Sequence, residues 1–313
     1  MKISVALTII VIHRNNINNL INFFKSLGKE LCLKNEVIVI DNKSTPENLQ
    51  KIKELKGEYF FKLIDSNFNL GFGSACNLGM RLANNSYFLL CNDDIQLNEK
   101  IINQFCTYFT QYPELGLIGP QQLDKNGNRV RSYSLNKSHF FSQFDLIGRC
   151  YKNIDIKSFS VVDCLRGACL GVNSKMFHEL GGYDEDFFLY HEETEWCFRI
   201  NKSNKWKVFY APEIIIYHFG GSTTSKDFSK SRIEFFRSRM LFWQKTLPFK
   251  KRLTVIVWNF SKLFVDLFFY LFMSTISLGL NKKFRLKFID RLVVIIWILA
   301  RMPKKWGLSD KKT

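Results

Sequence analysis

No two cysteines of the 313-residue chain stand at CxxC spacing, and none pairs with histidine at metal-ligand spacing. That excludes a structural zinc site or a thioredoxin-like redox pair built from the usual motifs. The eight cysteines are scattered, several within apolar runs: Cys91 in YFLLCND, Cys169 in RGACLGV. They read as reduced core thiols, the state expected in a reducing cytoplasm. The sequence also lacks GxGxxG and a Walker lysine and serine. Asn67 to Gly73 (NFNLGFG) only superficially resembles a phosphate loop, so P-loop and Rossmann dinucleotide sites are excluded. No Ser-His nucleophile pair, internal repeat or low-complexity linker is visible. The amino terminus enters a strand-like run without a basic n-region or cleavage site, so no signal peptide is expected. Acidic residues are scarce in the last quarter. From Lys226 to Thr313, 20 Lys and Arg face 5 Asp and Glu, a balance of +15, whereas residues 1–225 carry 25 against 23, a balance of +2.

What is present is an alternation of apolar strands and amphipathic helices. Ile3–Ile12, Glu36–Ile40, Phe60–Asp65 and Tyr87–Cys91 read as buried strands. Between and after them, Asn16–Leu27, a segment from Thr45 with Pro46 in its first turn, Gly73–Leu82 and Glu99–Phe109 read as helices. Such alternation implies a parallel sheet covered by helices on both faces. Ligands of such sheets bind beyond the carboxyl ends of the strands. The rule selects His13-Arg14, Asp41-Asn42, Asp65 to Phe72 and Asn92 to Ile95, and three of these four ends carry carboxylates. Further on, Gly116–Gly119, Val161–Val172 (broken at Arg166-Gly167), Lys207–Tyr210 and Ile214–His218 read as strands, with a helix starting at Ser174.

Three features carry chemistry. Asn92-Asp93-Asp94 ends an apolar strand, where oxygen ligands suit a hard cation such as Mg²⁺ or Mn²⁺. The same residues also suit an N-cap of the next helix. His191-Glu192-Glu193-Thr194-Glu195 places three carboxylates in four residues. Clustered carboxylates repel, so one of them should hold its proton more tightly and can serve as a general base. Acids also favour a solvated helix start, but the flanking FFLY and WCF argue against free solvation. His218 ends a strand and precedes Gly-Gly-Ser-Thr-Thr, a loop able to fold over a phosphate.

The order of these pieces resembles the rhamnosyltransferase-like branch of the family 2 inverting glycosyltransferases, which have the GT-A fold. The motifs are VIVIDNKS (37–44), NFNLGFGSACNLG (67–79), YFLLCNDDI (87–95), RGACLGVNSKMFHELGGYDEDFFLYHEETEWCFR (166–199) and IYHFGGS (216–222). The resemblance implies an α/β domain over residues 1–225, with a nucleotide-binding half to about residue 115 and an acceptor half from about 116 to 225. It implies that Asp41 reads the nucleotide base, with Asn42, Asn69, Gly71, Asn77, Asp93 and Arg166 among the nucleotide-sugar contacts. Asp94 corresponds to the metal-binding aspartate of a DxD-type motif whose first position here is Asn92; His218 corresponds to a further ligand of Mg²⁺ or Mn²⁺. Glu193 corresponds to the catalytic base. The family's usual acid at that position, and at 195, is Asp, so Glu192, Glu193 and Glu195 all stand as candidates. The resemblance implies a nucleotide diphosphate sugar as donor, with dTDP-rhamnose leading and UDP-sugars open, and a lipid-linked saccharide or polysaccharide as acceptor.

The tail, 226–313, reads as basic helix followed by two apolar segments, Leu263–Leu280 and Phe288–Ala300, flanked by Lys and Arg. Asn259, Lys262 and Asp266 share one helix face. Basic residues beside Phe- and Trp-rich helices suit an anionic leaflet, so peripheral attachment to the cytoplasmic face of the membrane is expected. Helices packed on the catalytic domain or on a partner would leave the same pattern. A catalytically inactive sugar-nucleotide-binding scaffold is the competing function. A nucleic-acid groove is not expected, because the basic residues flank apolar helices rather than exposed aromatics.

Overall fold

The computed structural model describes residues 6–135, 155–220 and 228–308. The expected strand residues Ile3–Val5 and loop residues Gly221–Thr224 lie outside them. The first half alternates as its periodicity requires: β1 (Thr8–His13), α1 (Ile17–Leu27), α2 (Lys29–Lys34), β2 (Glu36–Asp41), α3 (Pro46–Leu55), β3 (Lys62–Asp65), α4 (Phe72–Leu82), β4 (Tyr87–Asn92) and α5 (Glu99–Gln111). Thr45 caps α3 through Asn48 N–H, and Asn98 caps α5 through Ile101 N–H. The second half adds β5 (Leu115–Leu123), β6 (Arg129–Val130), β7 (Tyr133–Ser134), β8 (Ser160–Val161), β9 (Cys164–Leu165), β10 (Cys169–Asn173), α6 (Ser174–Leu180), α7 (Glu192–Lys202) and β11 (Lys207–Tyr217).

Among the described residues the main sheet runs β3-β2-β1-β4-β10-β5-β11-β8, with β6 on β5. Successive residues of the central strands bury on opposite faces. Ile9, Val11, Val37, Val39 and Leu89 pack with α1, α2, α3 and α5. Ile10, Ile12, Ile38, Ile40 and Leu90 pack with α4, α6 and α7. Each buried side chain of this size contributes about 1.5–3 kcal/mol relative to exposure. These layers make the GT-A-type fold, mostly parallel with helices on both faces.

Within this mostly parallel sheet one central strand runs the other way. β10 is antiparallel to both β4 and β5. When both faces of a strand are covered, its all-apolar run carries no signal of direction. The expected strand Val161–Val172 is three short strands, of which β9 joins β7 in a separate ribbon. The two expected last strands are one, β11, with a register shift between Ala211 and Ile215. Pro212 lies in that shift, where a missing N–H is tolerated. β10's direction has a consequence for function. It brings its amino end, just after Arg166-Gly167, to the edge where β1, β2 and β4 end, and Asn92 N–H donates to Ala168 O at 2.9 Å.

The tail folds as α8 (Phe228–Thr246), α9 (Phe249–Ile276) and α10 (Lys282–Leu299). Both apolar segments sit in helices that begin earlier, in basic residues that form helix well. α9 and α10 pair through the expected polar stripe: Asp266 bridges Lys262 at 3.6 Å and Arg291 at 3.1 Å. Leu263, Val294 and Ile295 form an apolar seam beside it. The outer face of α9 is bare, with Val265, Phe268 and Phe272 each more than 60% exposed. By length and composition alone α9 could cross a membrane.

Candidate active site

The carboxyl ends of β1, β2 and β4 form one rim. On β2, Asp41 is almost fully buried, and its carboxylate accepts Ser44 N–H at 3.1 Å and a short bond from the Ser44 hydroxyl. Asn42 accepts Leu70 N–H at 2.8 Å and donates to Gly71 O at 3.2 Å; Asn69 accepts Gly71 N–H at 3.2 Å. These two amides therefore shape the 69–71 loop. Gly71 sits at φ +82° against Phe188 O, an approach that a side chain would block. Asn77 is further back. It accepts Tyr183 N–H at 2.9 Å and donates to Tyr183 O and the Glu185 carboxylate, tying α4 to the turn before the acid cluster.

At the end of β4, Asp93 and Asp94 diverge. Asp93 turns toward β1 and α1: His13 Nδ1, at the end of β1, is 2.7 Å away, and Asn19 of α1 donates at 3.3 Å. Burial raises its pKa, and the His13 bond opposes that rise. Asp94 turns toward β11. Ile95 bridges His218, and Phe219 N–H donates to Asp94 O at 3.0 Å, so backbone bonds zip the two segments together. Asp94 Oδ1 lies 3.3 Å from His218 Nε2, and Asn92 Nδ2 is 3.5 Å from the same nitrogen. That Oδ1 is buried yet accepts no hydrogen bond. An oxygen and an imidazole with spare lone pairs fit a Mg²⁺ or Mn²⁺ ion whose other positions are taken by ligand oxygens and water. Among the described residues no three His, Cys, Asp or Glu side chains converge on one point. A cavity of about 430 Å³ opens beside both aspartates, lined also by Asn19, Lys25, Gln96 and Phe219.

The three glutamates separate by environment. Glu195 is held by Arg199 Nε at 2.7 and 2.9 Å, and Arg199 Nη1 donates to Leu180 O at 2.7 Å. Glu192 is buried, with Oε2 unpartnered; burial first and the neighbouring Glu193 second push its pKa well up. Glu193 lies against Gly167, so closely that a β-carbon there would strike its carboxylate. Burial raises its pKa, opposed by backbone N–H groups including that of Gly167 and by the Arg166 charge. Arg166 is anchored by its backbone, N–H to Ser132 O at 3.0 Å, and leaves its side chain exposed.

Thus Asp41, Asn42, Asp93, Asp94 and His218 gather on the rim, with Arg166 and Glu193 at β10's entry to it. Asn77 and Glu195 stand behind as braces. His13 obeys the strand-end rule, which assigns it no role, and Asn19 and Arg199 carry no signal in the sequence. Their partners are 74 and 80 positions away for Asp93, while the Arg199 pair is at ordinary helical i,i+4 spacing.

A mixed sheet with acids, an amide loop and the Asp94-His218 pair at one rim has the layout of the GT-A-type fold. Residues 8–181 match the family Glycosyl transferase family 2, and the chain belongs to it. It is 28% identical over 174 residues to the low-salt glycan biosynthesis hexosyltransferase Agl10 of Haloferax volcanii, covering 54% of each chain. It is 24% identical over 213 residues to the N-acetylglucosaminyl-diphospho-decaprenol L-rhamnosyltransferase of Mycobacterium tuberculosis, covering 61% of this chain and 68% of that one. The match thus spans about half the length of the Haloferax relative. In fold it is similar to GalNAc-T7 solved with UDP, GalNAc and Mn²⁺ (TM-score 0.56, 13% identity, 76% of this chain and 48% of that chain). It is also similar to the mannosyltransferase PcManGT of Pyrobaculum calidifontis solved with GDP-Man and Mn²⁺ (TM-score 0.54, 14% identity, 96% and 87%).

Proposed function

We propose that the chain transfers a hexosyl group, rhamnose being the leading candidate, from a nucleotide diphosphate donor to a lipid-linked saccharide with inversion at the anomeric carbon. The observation that supports this reading is that Asp94 pairs with His218 just beyond β4, while Glu193 lies against Gly167, next to the Ala168 carbonyl that Asn92 N–H meets. Asp41 and the loop shaped by Asn42 and Asn69 receive the nucleotide. Asp94 and His218 would hold Mg²⁺ or Mn²⁺, which offsets charge on the departing diphosphate. Glu193 takes the proton of the acceptor hydroxyl as it attacks, and the Arg166 charge favours the ionised form of that carboxylate. One displacement needs no covalent intermediate and inverts the centre. Asp93 acts through His13, fixing the loop that carries Asp94.

The tail sets the site against a membrane. Its bare α9 face and flanking lysines support attachment at the cytoplasmic surface, where lipid-linked saccharides are presented. The name of the mycobacterial relative, which contains a decaprenol-linked sugar, agrees with such an acceptor. The inactive-scaffold reading drew on glutamates standing where aspartate is usual; Arg199 takes up the longer side chain at 195, which removes half of that motive.

Thermal shift of the full chain with Mn²⁺ against dTDP-, UDP- and GDP-sugars tests the donor. Stabilisation by one nucleotide sugar, lost with EDTA, is expected. Equal melting with and without every donor would contradict the reading.

A further inference from the structure

The acid cluster does not sit on the catalytic layers alone. The segment leading into α7, Leu189-Tyr190-His191, carries two consecutive residues in the left-handed region, Tyr190 at φ 69° and His191 at φ 65°. Neither is glycine, and a left-handed backbone is unfavourable for a residue with a β-carbon, so surrounding contacts must hold the segment. Those contacts come from α8. Ser238 Oγ donates to Leu189 O at 2.7 Å. The His191 ring stacks on Phe242 (centroids 5.7 Å apart, planes at 18°) and leans on Phe235 at 5.1 Å. Phe187 is buried with Phe242, Trp243, Leu247 and Val255, the last from α9. Lys245 bonds Asp184 and Asp186, both at 2.6 Å.

His191 is used as an aromatic disc. Its Nε2 is buried and makes no hydrogen bond, and it gives α7 no side-chain cap. Burial pushes its pKa down to about 3, so it remains neutral. Its backbone does what its ring nitrogen does not: His191 O accepts Glu195 N–H at 2.9 Å and so begins the helix that carries all three glutamates. On the other side, Phe188 O accepts Phe72 N–H at 3.1 Å, next to Gly71 of the nucleotide loop. α8 in turn is tied to the outer helices: Arg232 pairs with Asp290 of α10, and Phe236 packs on the Leu263-Val294-Ile295 seam.

We propose that His191 is a positioning residue: gripped by Phe235 and Phe242, its ring lets the tail helices set the start of α7 and hence the aim of Glu193. The tail is then a part of the active site's frame as well as an anchor. The functional consequence rests on Glu193 being the base; the mechanical link does not.

The test uses the full chain with two substitutions that push in opposite directions. His191→Gly relieves the left-handed backbone and removes the ring. His191→Phe keeps the ring and worsens the backbone. Hydrogen exchange at the Glu195 and Phe72 amides reports the segment directly, because their acceptors are His191 O and Phe188 O. His191→Gly should speed exchange there on the order of tenfold, with β1 amides unchanged, and His191→Phe should restore the slow rate. Ser238→Ala should give the same local pattern more weakly, and it serves if His191→Gly fails to fold. Slow exchange in both His191→Gly and Ser238→Ala, or fast exchange in His191→Phe equal to His191→Gly, would overturn the proposal. In a transfer assay, kcat should fall with exchange while donor KM stays. Full turnover by Glu193→Gln would remove the base reading and leave the exchange result standing.

Discussion

Arg199 grips the Glu195 carboxylate with one nitrogen, 2.7 and 2.9 Å from its two oxygens, and ties it to the Leu180 carbonyl. Both oxygens of that carboxylate are taken by Arg199, whereas Glu193 lies against Gly167, beside β10's entry to the rim. Glu193→Gln should therefore lower kcat by about 10²–10⁴ with donor affinity retained. Glu195→Gln should instead cost about 1–2 kcal/mol of stability and leave most turnover. Thermal melts beside initial rates separate the two; a dead but stable Glu195→Gln enzyme would move the base to 195.

The pH profile follows from burial. Glu192 and Glu193 are both shifted upward, burial being the first cause for each. The acid limb of kcat/KM should lie above the usual carboxylate range and belong to the pair. Arg166 holds Glu193 down, so Arg166→Ala should move the limb to higher pH. Glu193's shift arises from burial, backbone N–H groups and Arg166, while Glu192 is pushed up further and stays protonated beside it, so Glu192→Gln should move the limb little. For stability the sign is that of an acid raised on folding: Glu192's contribution is complete below its unfolded value of 4.5 and is lost as pH rises through the folded value. Glu192→Gln should flatten that loss in melts taken across pH.

The first half of the fold was legible because its strands and helices differ in period and its helix caps are local. The rim was legible for the same reason: His13, Asp41 and Asn92 are each the last residue of their strand. β10's direction was not, since Cys169–Asn173 is buried throughout and would read alike either way. His191 could not be read either. A histidine before three glutamates looks like an ordinary helix start, and the rings that grip it are supplied by α8, at Phe235 and Phe242.

His13 should matter through Asp93. Their 2.7 Å contact fixes the residue before Asp94, as an outer partner of the Asp94-His218 pair. His13→Leu should weaken Mn²⁺-dependent nucleotide binding about 10–100-fold, measured by calorimetry with Mn²⁺ present and absent. Unchanged Mn²⁺ dependence would show that Asp93 holds its place without His13.

Membrane attachment should reside in the bare face of α9. Phe268→Ser with Phe272→Ser replaces two side chains exposed by 65% and 61% and should not unfold the chain. Each immersed Phe is worth about 1.5–3 kcal/mol, so co-sedimentation with phosphatidylglycerol vesicles should drop at least tenfold. High salt screens only the lysine and arginine share and should release the parent protein partly. Equal sedimentation of variant and parent would remove α9 as the anchor.

Sugar transfer itself is the most direct measurement. The full chain is incubated with Mn²⁺, each of the dTDP-, UDP- and GDP-sugars, and a polyprenyl diphosphate saccharide in phosphatidylglycerol vesicles, and the anomeric coupling of the product is read by NMR. The roles proposed for Asp94, His218 and Glu193 predict one donor consumed, its nucleoside diphosphate released, and a product of inverted configuration, with turnover abolished by EDTA and by Asp94→Asn. Tight binding of a nucleotide sugar without any transfer, or a product of retained configuration, would contradict it.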